Sequence, residues 1–458
     1  MWMVYVQLNK FRVAAVVCII FLSSSVLIPF ACADWTMFRS DPSHSGISTS
    51  NSVLTPTVLW NYTIPPANPN IEEGHAAPLP ATMSSPAVVD GVVYMGSQGG
   101  SFYAVNASNG SLLWNYTAVW SVYGTQSSPA VVNGTVYIGS DDHNVYALNA
   151  TNGAKLWNFT TSYIVDSSPT VIQGVVYIGS AEGVYALNAD NGAKIWNYTT
   201  SGWIESSPAV ANDILYVGSD DDSVYALNAT NGAEIWNYPM PNGNIQNGAP
   251  VNEVQSSPSV VNGVVYVGAG DGNVYALNAD NGKKIWNCTT ENFGGNTGNT
   301  VASSPAVVNG VVYAGSYNGF VYALKASNGA EIWSSEIGSI TVSSPAVASG
   351  VLYIGSGYYG TGDDNVYAFN AATGKLLWTY DTNGQVWSSP IVVNGVVYVG
   401  SGEDTLYALG STSSQNPTAS PSPAIPEFST IISVTVILAV TATTLLSTKK
   451  LKKRMNSH

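Results

Sequence analysis

Most of the chain alternates short runs of β-branched and aromatic residues with turn residues at a nearly constant spacing. Within residues 128–160, four such runs are separated by Asn133-Gly134, by Asp141-Asp142-His143 and by Asn152-Gly153. Asn-Gly between apolar runs is the strongest short-range signal for a β-hairpin, because both turn residues need a positive φ. The pattern therefore predicts four short antiparallel strands, which we label A to D in chain order.

This four-stranded unit repeats along the chain at a period near forty residues, which is the sequence signature of propeller blades. Proline cannot donate to a sheet ladder and belongs at a strand start or on an edge, and strand A would be the innermost edge strand. We therefore interpret the Ser-Ser-Pro that opens strand A as structural and not as a serine nucleophile. The first serines of the eight copies are Ser84, Ser127, Ser167, Ser206, Ser256, Ser303, Ser343 and Ser388.

The last unit has no strand D of its own, because it stops at Leu409 without the tryptophan that marks the other D strands. An eighth tryptophan, Trp60, lies upstream of the first unit, in Val58–Thr63, a segment that matches the other D strands. We predict an all-β protein: an eight-bladed β-propeller of four-stranded antiparallel blades, in which this N-terminal strand closes the last blade.

The segment from Ala147 to Trp157 resembles the tryptophan-docking motif of quinoprotein alcohol dehydrogenases and BamB-like propellers, with Asn in place of the usual Asp. The resemblance covers residues 34–410 and implies a PQQ-like eight-bladed β-propeller. It also implies that Trp157 stacks between Ala147 and the next blade's turn at Gly192. The docking tryptophans would be Trp60, Trp114, Trp157, Trp196, Trp236, Trp286, Trp333 and Trp378.

The N-terminal residues 1–33 have the pattern of a signal peptide. Lys10 and Arg12 precede an apolar core, and Ala31-Cys32-Ala33 has the form of a cleavage site. We expect a mature chain that begins at Asp34, and an uncleaved signal anchor is the alternative.

The C-terminal segment predicts a membrane anchor. Residues 411–428 form a Ser/Thr/Pro-rich stalk, 429–448 a transmembrane helix and 449–458 a basic cytoplasmic tail. The end of the stalk, from Ile425 to Phe428, resembles the PEF-type sorting tails of archaeal surface proteins, which implies that a sortase-like enzyme removes the helix; a retained anchor is the alternative. Either way we expect the propeller on the extracellular face of the cell membrane.

The charge of the predicted ectodomain excludes some partners. All 28 acidic residues fall between positions 34 and 427, against seven basic residues, a net charge of −21. Nucleic-acid binding requires basic patches, so we expect no nucleic-acid partner. Cys288 is the one cysteine outside the signal peptide and has no partner for a disulfide.

Strand direction alternates within a blade, so D–A and B–C connections share one face, which we call the insertion face. The A–B and C–D turns share the other, which we call the tight-turn face. The long insertions at 65–83, 239–255, 291–302 and 357–365 all fall on the insertion face. Loops carry function more often than scaffold does, so we expect the binding surface here; neutral drift of surface loops is the alternative.

Two groups of residues on the insertion face are candidates for ligand contacts. The residues before Ser-Ser-Pro would rim the axial channel, and the channel-rim candidates are Gln126, Asp166, Glu205, Gln255 and Trp387. The B–C turns supply carboxylates, which suit Ca²⁺, although no EF-hand loop is present and Asp is also an ordinary turn residue. These turn residues are Asp141, Asp142, Asp220, Asp221, Asp222, Asp271, Asp363, Asp364, Glu403 and Asp404.

The resemblance to quinoprotein dehydrogenases implies pyrroloquinoline quinone held by basic side chains beside Ca²⁺. The predicted propeller has one arginine, Arg39, outside the blades, and no cysteine pair. We therefore expect no quinone cofactor and no catalytic residue, and calcium binding remains an alternative. The Gly-x-Gly-x-x-Gly at 355–360 lies between two strands with no helix after it, so a dinucleotide site is not predicted.

Sequons recur in the predicted outer strands and indicate N-glycosylation of an exported chain. The candidates are Asn61, Asn115, Asn158, Asn197 and Asn287.

Three functional hypotheses follow from the sequence. The first is a cell-surface, non-catalytic binding or scaffold module for a protein, glycan or envelope component. The second is a quinone- and calcium-dependent dehydrogenase. The third is a BamB-like assembly scaffold. A fold shared by many functions does not choose among them.

Overall fold

The protein is an eight-bladed β-propeller, in which eight four-stranded antiparallel sheets form a ring. The computed structural model describes residues 34–65, 84–97, 100–118, 126–241, 245–246, 249–250, 253–290, 300–339, 341–357, 363–402 and 404–411. The predicted signal peptide, stalk, transmembrane helix and basic tail lie outside these residues. No helix among the described residues is long and apolar enough to cross a bilayer.

The strands fall into four sets, one for each position in a blade. The A strands are Ala87–Val89, Ala130–Val132, Thr170–Ile172, Ala209–Ala211, Ser259–Val261, Ala306–Val308, Ala346–Ala348 and Ile391–Val393. The B strands are Val92–Gly96, Thr135–Gly139, Val175–Ser180, Ile214–Ser219, Val264–Gly268, Val311–Ser316, Val351–Gly355 and Val396–Ser401. The C strands are Ser101–Asn106, Asn144–Asn149, Gly183–Asn188, Ser223–Asn228, Asn273–Asn278, Phe320–Lys325, Asn365–Asn370 and Thr405–Gly410.

The D strands complete the blades from the outside. Those of blades 1 to 7 are Leu112–Thr117, Lys155–Thr160, Lys194–Thr199, Glu234–Pro239, Lys284–Thr289, Glu331–Glu336 and Leu376–Asp381. Two short pairings stand apart: Ile47–Ser48 extends the sheet of blade 7, and Ile245–Gln246 pairs with Ala249–Pro250 inside an insertion.

The closing strand of blade 8 comes from the N-terminal end of the propeller, as predicted. Thr57–Thr63 pairs antiparallel with Thr405–Gly410, with Trp60 opposite Ala408. Thr63 and Thr405 are 342 positions apart in the chain and share this ladder. The pairing removes the open edge that blade 8 would otherwise present.

The tryptophans join neighbouring blades in the way that the resemblance implied. Trp157 lies opposite Ala147 in the ladder, and its Nε1 donates to the Ala189 oxygen at 2.9 Å. A Cβ at Gly192 would lie 2.6 Å from the Trp157 ring, so the turn approaches the indole closely. Trp378 instead donates to the Val53 oxygen. In blade 8, strands C and D come from opposite ends of the propeller, so no C–D turn joins them.

The Ser-Ser-Pro serines hold the inner wall together and are not arranged as nucleophiles. In blade 2, the Ser127 hydroxyl accepts from the Gly139 N–H of strand B. The second serines link blades: the Ser128 N–H donates to the Ser168 hydroxyl, and the Ser389 N–H donates to Ser85 and closes a circle of eight such bonds. The other six bonds of the circle follow the same geometry.

The N-terminal segment 35–53, which we call the axial plug, runs around the axis against the inner strands of all eight blades. Among its contacts, Trp35 pairs with Val88 in blade 1, and the Val210 N–H donates to the Pro42 oxygen in blade 4. In blade 8, the Asn394 N–H of the A–B turn donates to a plug serine hydroxyl. No strand pattern in the sequence predicts this segment, and the structure shows that it closes the tight-turn end of the channel.

Both ends of the described propeller chain lie on the tight-turn face. Asp34 accepts from the Asp90 N–H in the first A–B turn. Gly410 ends a C strand, on the side where C–D turns lie in the other blades. The insertion face therefore carries neither end of the propeller chain.

Candidate functional site

The predicted rim residues lie at the insertion-face end of the inner strands, with one exception. Gln126, Asp166, Glu205 and Gln255 are half-buried just before their Ser-Ser-Pro motifs. Trp387 is buried instead, and its Nε1 donates to the Gly357 oxygen at 2.8 Å. The rim is therefore polar on the side of blades 2 to 5, where its two carboxyl groups lie.

Asp141 and Asp166 come together because neighbouring loops are bonded to each other. The Val165 N–H donates to the Ser140 oxygen, which places the next residue of each loop side by side. Asp141 is only 3% exposed, and no N–H or O–H group donates to either of its carboxyl oxygens. Burial, and then the neighbouring Asp166, raise the pKa of Asp141 to about 9. Burial also raises the pKa of Asp166.

Three more carboxyl groups continue this line toward blade 5. Burial, and then the charge of Asp220, raise the pKa of Glu205 to about 8. Burial, and then Glu253, raise the pKa of Asp220 to about 7. We call Asp141, Asp166, Glu205, Asp220 and Glu253 the carboxyl cluster. Burial raises the pKa of some members, and the others raise the pKa of a neighbour. A positive charge placed beside the cluster would therefore be stabilised.

Other acidic B–C turn residues have structural roles. Asp142 accepts from the Tyr146 hydroxyl, and Asp271 from the Tyr275 hydroxyl. Asp363 accepts from the hydroxyl of a neighbouring serine in its own turn. These carboxylates fix their turns, which explains the recurrence of Asp there without a ligand.

Two exposed aromatic side chains flank the carboxyl cluster. Tyr163 is 55% exposed and Trp203 is 48% exposed. They lie three residues before Asp166 and two residues before Glu205, in successive D–A loops. The other exposed large apolar residues of the described chain are leucines and isoleucines outside these loops. Both aromatics were missed from the sequence, although their place in non-repeating D–A loops was a usable signal.

The lysines of the blades are confined to one of the two faces, whereas acidic residues occur on both. The six lysines of the blades all lie at C–D ends of strands or in C–D turns, on the tight-turn face. The described part of the insertion face carries carboxyl groups and no lysine or arginine. Its acidic residues are Asp141, Asp142, Asp166, Glu182, Glu205, Asp220, Asp221, Asp222, Glu253, Asp271, Glu336, Asp363, Asp364, Asp381 and Asp404.

A buried arginine, Arg39, belongs to the axial plug and reaches the residue that precedes a strand A. Arg39 is 2% exposed and donates from Nη1 to the Pro345 oxygen, while Nε and Nη2 have no hydrogen-bond partner. Burial lowers the pKa of Arg39 to about 9. The nearby Asp41 carboxylate accepts instead from Ser43 and Ser45.

The residues of the open mouth do not fit pyrroloquinoline quinone. That cofactor carries carboxylates, which require basic partners such as arginine forks. The described mouth residues offer the carboxyl cluster instead, and Arg39 belongs to the axial plug, where its side chain donates to Pro345. Cys288 is a free thiol on an outer strand, with no other cysteine in the described part of the chain. The described mouth residues therefore do not form a site for the quinone.

A metal ion finds no ready set of three side chains here. Among the described ranges, no group of three or more His, Cys, Asp or Glu side chains is placed to hold an ion. The carboxyl cluster runs along the mouth across blades 2 to 5 and does not converge on one point.

The predicted sequon asparagines all lie on the outer wall. Asn61, Asn115, Asn158, Asn197 and Asn287 are exposed, each one residue after a docking tryptophan. This position is compatible with a glycan, and modification stays a prediction.

The ring of eight four-stranded blades defines the molecule as a β-propeller of the kind held together by docked tryptophans. By sequence, the chain belongs to the family described as outer membrane protein assembly factor BamB, whose model matches residues 52–183, 141–358 and 319–416. No curated protein matches the chain.

Solved structures share the fold at low sequence identity. BamB from Moraxella catarrhalis has a TM-score of 0.60 at 16% identity, covering 79% of this chain and 100% of its own. A quinohemoprotein alcohol dehydrogenase from Comamonas testosteroni has a TM-score of 0.66 at 16% identity, covering 83% and 81%. A europium-containing methanol dehydrogenase has a TM-score of 0.65 at 14% identity, covering 83% and 98%. These likenesses establish the fold alone.

Proposed function

We propose that the protein is a non-catalytic binding or scaffold module on the extracellular face of the cell membrane, which takes a protein, glycan or envelope component on its insertion face. The observation that supports this proposal most directly is the difference between the two faces of the propeller. Both ends of the described propeller lie on the tight-turn face, whereas the predicted rim residues, the carboxyl cluster and the strand ends that flank the insertions share the opposite face.

The position of the propeller's ends indicates which face is accessible when the propeller is tethered. Ser411, the last described residue of the propeller, follows a strand C that ends on the tight-turn face, so a C-terminal tether would leave from that face. We therefore expect the insertion face to be the more accessible face of a tethered propeller.

A role in assembly is a second form of this function, favoured by the match to the BamB family. An assembly scaffold also needs a free binding face and no catalytic group. The two forms differ in the partner and not in the surface used.

The orientation is tested by cysteine accessibility on intact cells. In a Cys288→Ser background, Ser201→Cys places a thiol on the insertion face and Thr151→Cys places one on the tight-turn face; both native side chains are exposed. We expect a large maleimide-polyethylene glycol to label Ser201→Cys faster than Thr151→Cys on cells, and both equally after solubilisation.

Two results would contradict the proposal. Absence of labelling at both positions on intact cells, with labelling after lysis, would place the propeller inside. Faster labelling of Thr151→Cys on cells would reverse the orientation.

A further inference from the structure

We propose that the carboxyl cluster and the two aromatic side chains Tyr163 and Trp203 receive an organic ammonium group, namely a lysine side chain of a partner protein. This inference rests on the proposed function and names the chemistry of the partner at the same face.

Two independent features coincide in one sector of the insertion face. Tyr163 and Trp203 are exposed aromatics, and Asp141 is a carboxyl group that is only 3% exposed and lies against the carboxyl group of Asp166. All three lie between blades 2 and 4. An exposed aromatic surface beside carboxyl groups that lie against each other is unusual for a solvated rim, which needs no aromatic side chains.

The two aromatic loops are held in place by the same turns that carry the carboxyl groups. The Asp220 N–H donates to the Trp203 oxygen at 2.9 Å. The Thr161 N–H donates to the oxygen of His143, in the turn that follows Asp141, at 2.8 Å. The hydroxyl of the same threonine donates to the Tyr163 oxygen at 2.6 Å. The loops that carry the two aromatic residues are therefore bonded to the turns that carry the carboxyl groups.

The described residues of this surface include no cationic hydrogen-bond donor. Burial and mutual repulsion disfavour the charged form of these carboxyl groups, and a lysine ammonium, with one charge and three donors, would favour it. The insertion face supplies neither lysine nor arginine of its own among the described residues. The cation therefore comes from outside the described propeller.

An ammonium group fits better than a bare metal ion. No three acidic or imidazole side chains of the described chain converge on one point, as a metal would require. Aromatic faces attract organic cations, and the methylene stem of lysine covers apolar surface while its head reaches the carboxylates. Tyr163 and Trp203 would have no role in binding a bare metal ion.

The test is a calorimetric titration of the purified propeller with a tetralysine peptide capped at both ends, with capped tetraglutamine as the uncharged probe. We expect saturable binding of tetralysine alone. The double variant Asp166→Asn with Glu205→Gln should weaken binding about tenfold or more, since it removes charge-assisted hydrogen bonds. Trp203→Ala should weaken it by about threefold, as expected for a cation–π contact.

Two control variants distinguish binding at a localised site from general attraction to the negative charge of the insertion face. Asp381→Asn removes one charge from the same face in blade 7, and Leu156→Ala removes an exposed apolar side chain from the outer wall. We expect each to change the affinity by less than about twofold, because neither touches the sector.

Proton release gives a readout that a structural role would not produce. An ammonium group lowers the raised pKa values of Asp141, Glu205 and Asp220, so binding near neutral pH releases protons. Titrations in two buffers of different ionisation enthalpy measure this release, which Glu205→Gln should reduce.

Each outcome supports or overturns the inference. Absence of tetralysine binding, or equal loss in Asp381→Asn and in the double variant, would overturn it. Tight Ca²⁺ binding that Asp141→Asn abolishes, without peptide binding, would overturn it in favour of a metal site. If accessibility confirms the outward insertion face while tetralysine fails, the proposed function stands and this inference alone is wrong.

Discussion

Glycines at two kinds of turn show how one residue type serves two physical purposes. Gly134 has φ +73 with nothing within 4 Å of an added Cβ, so only the turn conformation requires it. Gly192 has φ +70, and an added Cβ would also lie 2.6 Å from the Trp157 ring. The first glycine makes a hairpin, and the second also admits the tryptophan of the preceding blade.

This difference predicts unequal costs for the same substitution. Gly134→Ala should lower the free energy of unfolding by about 1 kcal/mol, from backbone strain alone. Gly192→Ala should lower it by about 2 to 4 kcal/mol, because the methyl group also overpacks the indole. Urea unfolding of the two variants measures the difference, and equal losses would show that the turn does not hold the tryptophan.

Asp141 predicts how stability depends on pH. Its pKa is raised to about 9 in the folded state by burial and by Asp166, above its unfolded value. The folded state therefore binds more protons than the unfolded state between those two values, and stability falls as pH rises through that window.

Asp141→Asn should flatten this dependence, because the amide cannot ionise. We expect the variant to exceed the wild type by about 1 to 2 kcal/mol at the alkaline end, and to differ little at the acidic end. Thermal melts across the pH range measure this, with Asp381→Asn as the exposed control. A parallel shift of the whole curve would mean that Asp141 does not titrate in the window.

At the level of elements, the repeat made the blades predictable. Asx-Gly turns, the period near forty and the displaced Trp60 sufficed to predict eight blades and the closing strand. The axial plug was missed because residues 35–53 carry glycine, serine and proline without a strand period. Its order comes from contacts with inner strands distant in sequence, which local patterns do not encode.

The closing strand predicts that Trp60 matters as much as a tryptophan inside the repeat. Its Nε1 donates to the Ala107 oxygen at 2.9 Å, as Trp196 donates to Ala229 at 3.0 Å. Trp60→Ala and Trp196→Ala should each cost about 3 to 5 kcal/mol of unfolding free energy. Chemical denaturation compares them; a cost near zero for Trp60→Ala alone would mean that blade 8 is stable without the N-terminal strand.

Among the loops, sequence reasoning located the candidate face but not the group of residues that forms the cluster. The rim positions Asp166 and Glu205 were predicted from their place before Ser-Ser-Pro. Which turn carboxylates are already satisfied, and which lie unpaired beside the rim, depends on hydrogen bonds within and between loops. Asp142 and Asp141 are adjacent in sequence and differ for this reason.

For the whole molecule, the proposed function depends on a division between two faces. One face carries the chain ends, the lysines and the plugged end of the channel. The other carries the insertions, the carboxyl cluster and the exposed aromatics. A binding partner should therefore contact one end of the propeller and leave the other unchanged.

Hydrogen–deuterium exchange of the propeller, alone and with solubilised envelope from its own cells, is the decisive measurement for this division. We expect slowed exchange in the D–A loops around Tyr163 and Trp203 and in the neighbouring B–C turns, with the C–D turns unchanged. Protection confined to the C–D turns or to the outer strands would contradict a binding role for the insertion face.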